Sequence, residues 1–222
     1  MAKRFTTKNR FNIKEKWQAM DKNRLLTWLL IALGALLVAL IITFAVIWSK
    51  GYLAERRATL LLTSYEKEIA ASGSNETYSS AEINTDPLAI EGYLVMGTLE
   101  IESIDLSLAV IERISDEALR VSVCYYGGAL PGEDGNTVIT GHNFASGAHF
   151  GRLDELKNGD IVTMTLTDGT SYSYEVYDMT IINPSDTKAL EVHKGKHALS
   201  LLTCIYNGNR RLLVRCRQID TP

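Results

Sequence analysis

The hydrophobic pattern changes twice along the chain, and each change marks a different kind of element. Residues 25–48 run through 24 positions without a charged side chain. At about 1.5 Å rise per residue they reach roughly 36 Å, enough to cross a bilayer, so a transmembrane helix is expected. A signal peptide would have a shorter apolar core and a small-residue cleavage site, and none follows Trp48 directly. Between residues 51 and 72 the apolar positions thin to a stripe, Ala58, Leu61 or Leu62, Tyr65 and Ile69, spaced three or four apart among Glu and Arg. That spacing predicts a helical stalk. Residues 72–86 (SGSNETYSSAEINTD) are small and polar and read as a linker.

Beyond about Glu91 the period switches towards two. Residues 98–101 (TLEI), 106–111 (LSLAVI), 137–140 (TVIT), 161–167, 172–182, 198–204 (ALSLLTC) and 211–219 (RLLVRCRQI) all read as strands. Asn158-Gly159, Asp168-Gly169 and Asn207-Gly208 supply tight turns that favour positive φ. Residues 115–121 and 152–157 are expected to form short helices. Seven or more strands in about 130 residues, with only short helices, predict a mainly β fold, a closed or nearly closed β-barrel. The organisation expected is a basic segment (1–24), a transmembrane helix (25–48), a helical stalk and linker (49–90) and a folded domain (91–222).

Charge adds a direction. Residues 1–24 carry eight Lys or Arg against Glu15 and Asp21, a net of +6, which by the positive-inside rule keeps the N-terminus in the cytoplasm. The whole chain has 23 basic and 26 acidic residues, leaving 15 against 24, a net of −9, for residues 25–222. An acidic domain outside the membrane argues against nucleic acid as a partner. The N-terminal cations are topology signals and contacts to anionic lipid.

Three cysteines, Cys124, Cys204 and Cys216, are too few and too scattered for a disulfide scaffold, and the odd count leaves at least one thiol free outside the cell. The segment LSLLTCIYNGNRRLLVRCRQI reads as a hairpin. If Asn207 and Gly208 are its two loop residues, Tyr206 faces Asn209, Ile205 faces Arg210 and Cys204 faces Arg211, while Arg210 points the other way. A permanent cation beside a thiol favours the thiolate, and its donors can hold the oxyanion formed when a thiolate attacks a carbonyl. Cys216 shares parity with Leu212 and Val214 and is expected in the core; Cys124 is also read as structural.

A cysteine nucleophile needs a proton donor or base, and the chain has His142, His149, His193 and His197. His142 follows the strand TVIT and a glycine, so it sits at a strand end, where a scaffold can present it to a cleft. His149 is its competitor; His193 and His197 sit in the lysine-bearing loop EVHKGKH and look solvated.

Together, MGTLEIESIDLSLAVIE, GGALPGEDGNTVITGHN, the LLTC box and RLLVR, in this order from about Met96 to Ile219, resemble the sortase family of Gram-positive bacteria. The resemblance implies an eight-stranded sortase barrel on a single N-terminal anchor, with Cys204 as nucleophile, His142 as general acid and Arg211 orienting substrate and stabilising the oxyanion. It implies cleavage of a signal like Leu-Pro-x-Thr-Gly between threonine and glycine through a thioacyl enzyme. Surface proteins bearing that signal would be donors, and an amine of a peptidoglycan precursor or a pilin lysine the acceptor. No cofactor and no required metal are expected; Asp186 and Glu191 read as solvated loop charges. Residues 183–197 correspond to the family's substrate-selecting loop.

Class-specific features point in different directions. Pilin-building members carry an Asp-Pro-aromatic lid and a second C-terminal span, whereas here Leu88 follows Asp86-Pro87 and the chain ends soon after the last strand. NRRLLVRCRQI nonetheless resembles their final strand, while His142-Asn143 and HFGRL resemble the class B group. The competing functions are an extracellular cysteine hydrolase or L,D-transpeptidase, whose histidine and cysteine would lie closer in sequence, and an inert membrane-tethered β-domain. Zinc held by Cys204 and His142 is disfavoured by the neighbouring Arg211.

Overall fold

The computed structural model describes residues 22–73, 88–191 and 196–219. The basic segment up to Asp21, most of the expected linker, the Asp86-Pro87 step and His193 lie outside the described residues. Helix α1 (Lys22–Gly73) contains the apolar run and is long and apolar enough to cross a membrane. The chain divides into two compact units, one ending at Val46 and one beginning at Ile47. In the first, the large apolar side chains of α1 face outwards, as in Leu26 and Phe44. A helix apolar on every side needs an apolar surround.

The second unit is a β-barrel. Its strands are β1 (Leu88–Ile90), β2 (Tyr93–Ile101), β3 (Leu106–Ile111), β4 (Val123–Gly128), β5 (Gly135–Gly141), β6 (Ile161–Leu166), β7 (Ser171–Ile182), β8 (His197–Ile205) and β9 (Arg210–Ile219). The hydrogen-bonded order β2-β3-β4-β5-β8-β9-β7-β6 returns to β2 through the β2–β6 pairing, so eight strands close and β1 is a short addition on β2. Closure leaves no long free edge. It depends on Gly97, because a Cβ there would collide with the Thr165 carbonyl on β6.

Each run read as a strand from its alternation lies within or almost within an observed strand. The additions are the three-residue β1 and β4, whose residues VCYYGG offer little alternation and end in two glycines; a bulge between Tyr125 and Gly127 bends β4. The first expected short helix is α2 (Asp116–Leu119), capped where the Ala118 amide donates to the Ser115 hydroxyl at 3.0 Å. The second is one 3₁₀ turn, Leu153–Glu155.

Two apolar layers hold the unit together. Leu99, Ile101, Ile139, Phe150, Leu199, Leu201 and Val214 fill the main core. The stripe foreseen on the stalk packs rather than standing free: Leu61 and Tyr65 of α1 join Val95, Ala109 and Ile111 of β2 and β3 in a second cluster. Ala54 and Ala58 are buried as well, whereas Ile69 is exposed. Gly51 is another close approach, since any Cβ there would strike the side chain of Ser146.

Candidate functional site

The β8–β9 hairpin has the expected register, Cys204 opposite Arg211 and Ile205 opposite Arg210. The turn differs in form. Tyr206–Gly208 make a 3₁₀ turn, and the Asn209 amide donates to the Tyr206 carbonyl at 3.2 Å, so four residues rather than two lie between the last paired positions. Tyr206 has φ of 50° and Gly208 of 85°. Opening the turn leaves the pairing below it unchanged, because Tyr206 and Asn209 keep their opposed places without forming a ladder step. The Arg211 guanidinium is held by the turn, donating through Nη1 to the Gly208 carbonyl at 2.8 Å and to the Arg210 carbonyl at 3.2 Å.

The position of His142 follows from a second ladder. Strands β5 and β8 run parallel, and their last paired residues are Gly141 and Thr203. The Thr203 hydroxyl donates to the Gly141 carbonyl at 2.8 Å and fastens the two strands at that level. One residue further, β5 gives way to His142 while β8 reaches Cys204, so these two occupy adjacent places across neighbouring strands about 4.8 Å apart. With Arg211 on β9 they make one row across three strands. The row below it is Thr140, Leu202 and Leu213.

Parity puts this row on the outer surface of the barrel. Leu199 and Leu201 belong to the main core, whereas Leu202 packs in a separate cluster with Val138 and Leu213, beneath Ile182, Ala189 and Leu190. His142, Cys204 and Arg211 line one cleft of about 240 Å³, walled by the segment after β7 through Pro184, Asp186 and Leu190. Asn136 Nδ2 donates to the Leu190 carbonyl at 2.7 Å, Arg215 donates to the Ala189 carbonyl at 3.2 Å, and Arg215 also pairs with Asp178. These bonds fix the wall. Asp186, read from sequence as a loop charge, is exposed and stands on this cleft; Tyr126, a further lining residue, had no sequence signal.

The other cysteines are set apart by burial. Cys124 and Cys216 are fully buried, all three thiols are free, and burial pushes the thiols of Cys124 and Cys216 up to about 12. Cys204 is half-buried and faces the cleft.

The histidines separate too. His142 has its pKa lowered by partial burial and next by the Arg120 charge, opposed by Asp116. His149 is only 3 % exposed and stands at φ of 52°. Burial and then His142 lower its pKa to about 4, against the carbonyls of Ala54, Val121 and Leu119, although neither ring nitrogen makes a well-formed hydrogen bond. Phe144 stands between the two imidazoles, edge-on to each, with centroids 5.4 Å from His142 and 5.1 Å from His149. His197 is exposed, with Nδ1 3.0 Å from the Glu133 carbonyl and Nε2 3.4 Å from Asp134.

His149 makes the fold acid-sensitive. Its ordinary pKa of 6.5 applies to the unfolded chain, which therefore binds the proton first as pH falls. The stabilisation is complete above pH 6.5 and is lost towards pH 4, about 3 kcal/mol over that window. His149→Asn, which tolerates the left-handed backbone, should flatten this part of the pH dependence of the unfolding midpoint. Equal slopes in the two proteins would show that the sensitivity lies elsewhere.

No cluster of three or more His, Cys, Asp or Glu suited to a metal occurs among the described residues.

A sortase-domain family model matches residues 99–219, more than half the chain and the whole of the cleft's β5–β8–β9 framework. The chain belongs to the sortase family. Sortase D of Bacillus subtilis (strain 168) is 30% identical over 148 residues, covering 65% of this chain and 72% of that protein. Among solved structures, sortase C1 from Streptococcus suis is 30% identical with a TM-score of 0.54, over 58% of this chain and 74% of that one. A Clostridium perfringens sortase D5 transpeptidase matches 76% of this chain and 99% of its own at 20% identity and TM-score 0.55, a likeness of fold. The enzyme is accordingly a sortase transpeptidase, and the eight-stranded closure is the family barrel.

Proposed function

We propose that this sortase is a membrane-anchored cysteine transpeptidase whose chemistry is carried by Cys204, His142 and Arg211. The supporting observation is that Cys204 pairs with Arg211 and both line one cleft with His142, which lies one residue beyond the last β5–β8 pair. In this reading the Cys204 thiolate attacks the threonine carbonyl of an LPxTG-like sorting signal on a surface protein. Arg211, preorganised by the turn carbonyls, holds the oxyanion. As the C–N bond breaks, imidazolium His142 gives its proton to the departing glycine amine, leaving a thioacyl enzyme and neutral imidazole. An acceptor amine then attacks the thioacyl carbon, the C–S bond breaks, the new amide forms, and the amine proton returns to His142. The acceptor belongs to a cell-wall precursor or a pilin lysine.

Residues 25–48 hold the enzyme in the membrane as a single pass, with the basic N-terminus in the cytoplasm and the barrel outside.

The test uses the full chain in detergent micelles with a fluorescent LPxTG peptide. Hydroxylamine should accelerate cleavage and yield the threonine hydroxamate, and a mass increment of the acyl fragment should appear on the Cys204 peptide. Cleavage to the free acid alone, unaffected by any amine, would favour a cysteine hydrolase and reject transpeptidation.

A further inference from the structure

His142 lines a second cleft as well as the one that holds Cys204. This second space, of about 450 Å³, is bounded by Lys50 and Arg57 of α1, by Arg120 just after α2, and by His142 and Phe144. Lys50 and Arg57 are seven residues apart on one helix and so share a face. All three cations are exposed, and none of the ion pairs among the described residues uses any of them. Arg120 stands near enough to His142 for its charge to disfavour the imidazolium, with Asp116 opposing it. Three unpaired cations around a concave space form a site for an anion.

We propose that this cleft is the acceptor subsite and selects an amine whose carrier bears an anionic group, a carboxylate or a phosphate. The proposal rests on the transpeptidase reading above. The acceptor must deliver its proton to His142 while it attacks the acyl group on Cys204. The Cys204 cleft is occupied by the acyl donor at that moment, so the acceptor has to approach His142 from another side. The cationic cleft ends on the same imidazole. An anion held by Lys50 and Arg57 would fix the amine by its far end and leave the nitrogen free beside the ring, the arrangement that lowers the entropy cost of the second step.

The experiment compares three acceptors with the same amine and chain: triglycine, triglycinamide, and the triglycine analogue ending in aminomethylphosphonate. The full chain is used in neutral detergent, with hydroxylamine transfer measured on the same preparation. Triglycine should show a KM about tenfold below that of triglycinamide, as for one charge-assisted contact in a partly exposed site. The preference should shrink as ionic strength rises. In the double variant Lys50→Gln, Arg57→Gln the ratio should fall towards one, and Arg57→Lys should keep most of it. A phosphonate preferred over the carboxylate assigns a phosphate-bearing acceptor; equal use assigns a carboxylate. Equal KM for triglycine and triglycinamide, with hydroxylamine transfer intact, overturns the anion subsite and leaves the transpeptidase reading standing. Loss of hydroxylamine transfer in the unmodified protein overturns the reading beneath it.

Discussion

Cys204→Ala is expected to lower sorting-peptide cleavage and transfer by at least about 10⁴-fold, while the barrel's far-UV dichroism and thermal midpoint stay close to those of the unmodified protein. The size follows from the chemistry. In the proposed mechanism no thioacyl enzyme forms without the thiolate, and the remaining groups could only polarise a carbonyl that water must attack. The small structural effect follows from position: Cys204 is half-buried at the outer end of β8, next to a cleft, and removing its sulfur opens no cavity in the core. A thiol count supports the same assignment independently. A charged alkylating reagent should modify one cysteine of three in the native protein, because Cys124 and Cys216 are fully buried with thiols pushed up to about 12. Activity retained in Cys204→Ala, or native labelling at another cysteine, would remove Cys204 from the mechanism.

The second large effect separates two neighbouring arginines. Arg211→Ala should reduce kcat/KM by about 10²–10³-fold, the loss typical of one oxyanion donor. Arg210→Ala should stay within about threefold, as for an ordinary surface change. The two differ by one residue and therefore by one face of β9: Arg211 lines the cleft beside Cys204, and Arg210 is paired with Ile205 and exposed. Arg211→Lys would retain the charge but cannot reproduce a planar fork anchored on the Gly208 carbonyl, so it should recover only part of the loss. A larger loss at Arg210 than at Arg211 would mean that the active register of the hairpin differs from the one described.

What could be read from the sequence was local. The Asn-Gly signal set the level at which Cys204 and Arg211 meet, even though the turn takes four residues, because the pairing below a turn depends on its symmetric centre. Alternation located strands such as β6, whose two faces differ in burial, whereas β2, β5 and β8 are buried on both faces along their centres and were legible as apolar runs. The parallel contact between β5 and β8 was not legible. It joins His142 to Cys204 across 62 residues, and no turn connects those strands directly. Position at a strand end made His142 a candidate beside His149, while only the three-dimensional ladder aligns one of them with the thiol and buries the other behind Phe144. The docking of α1 was half visible. The stripe Ala58, Leu61 and Tyr65 announced an apolar face, but a stripe does not say whether its partner is another helix, a membrane or a barrel. The cleft wall after β7 was hidden because its fixing bonds come from Asn136 and Arg215, far apart in the chain.

The Thr203 hydroxyl bond to Gly141 has a consequence for the timing of reactivity. The hairpin that joins Cys204 to Arg211 can close early, since its ends are near one another along the chain. The partnership with His142 needs a loop of about sixty residues to be drawn in, and such distant parallel contacts form slowly. A newly made chain would therefore carry its cysteine and arginine together before the histidine arrives. In the proposed mechanism the thiol would become a working nucleophile only when the barrel has zipped as far as its last parallel rung, so completion of the fold and the onset of chemistry would be a single event.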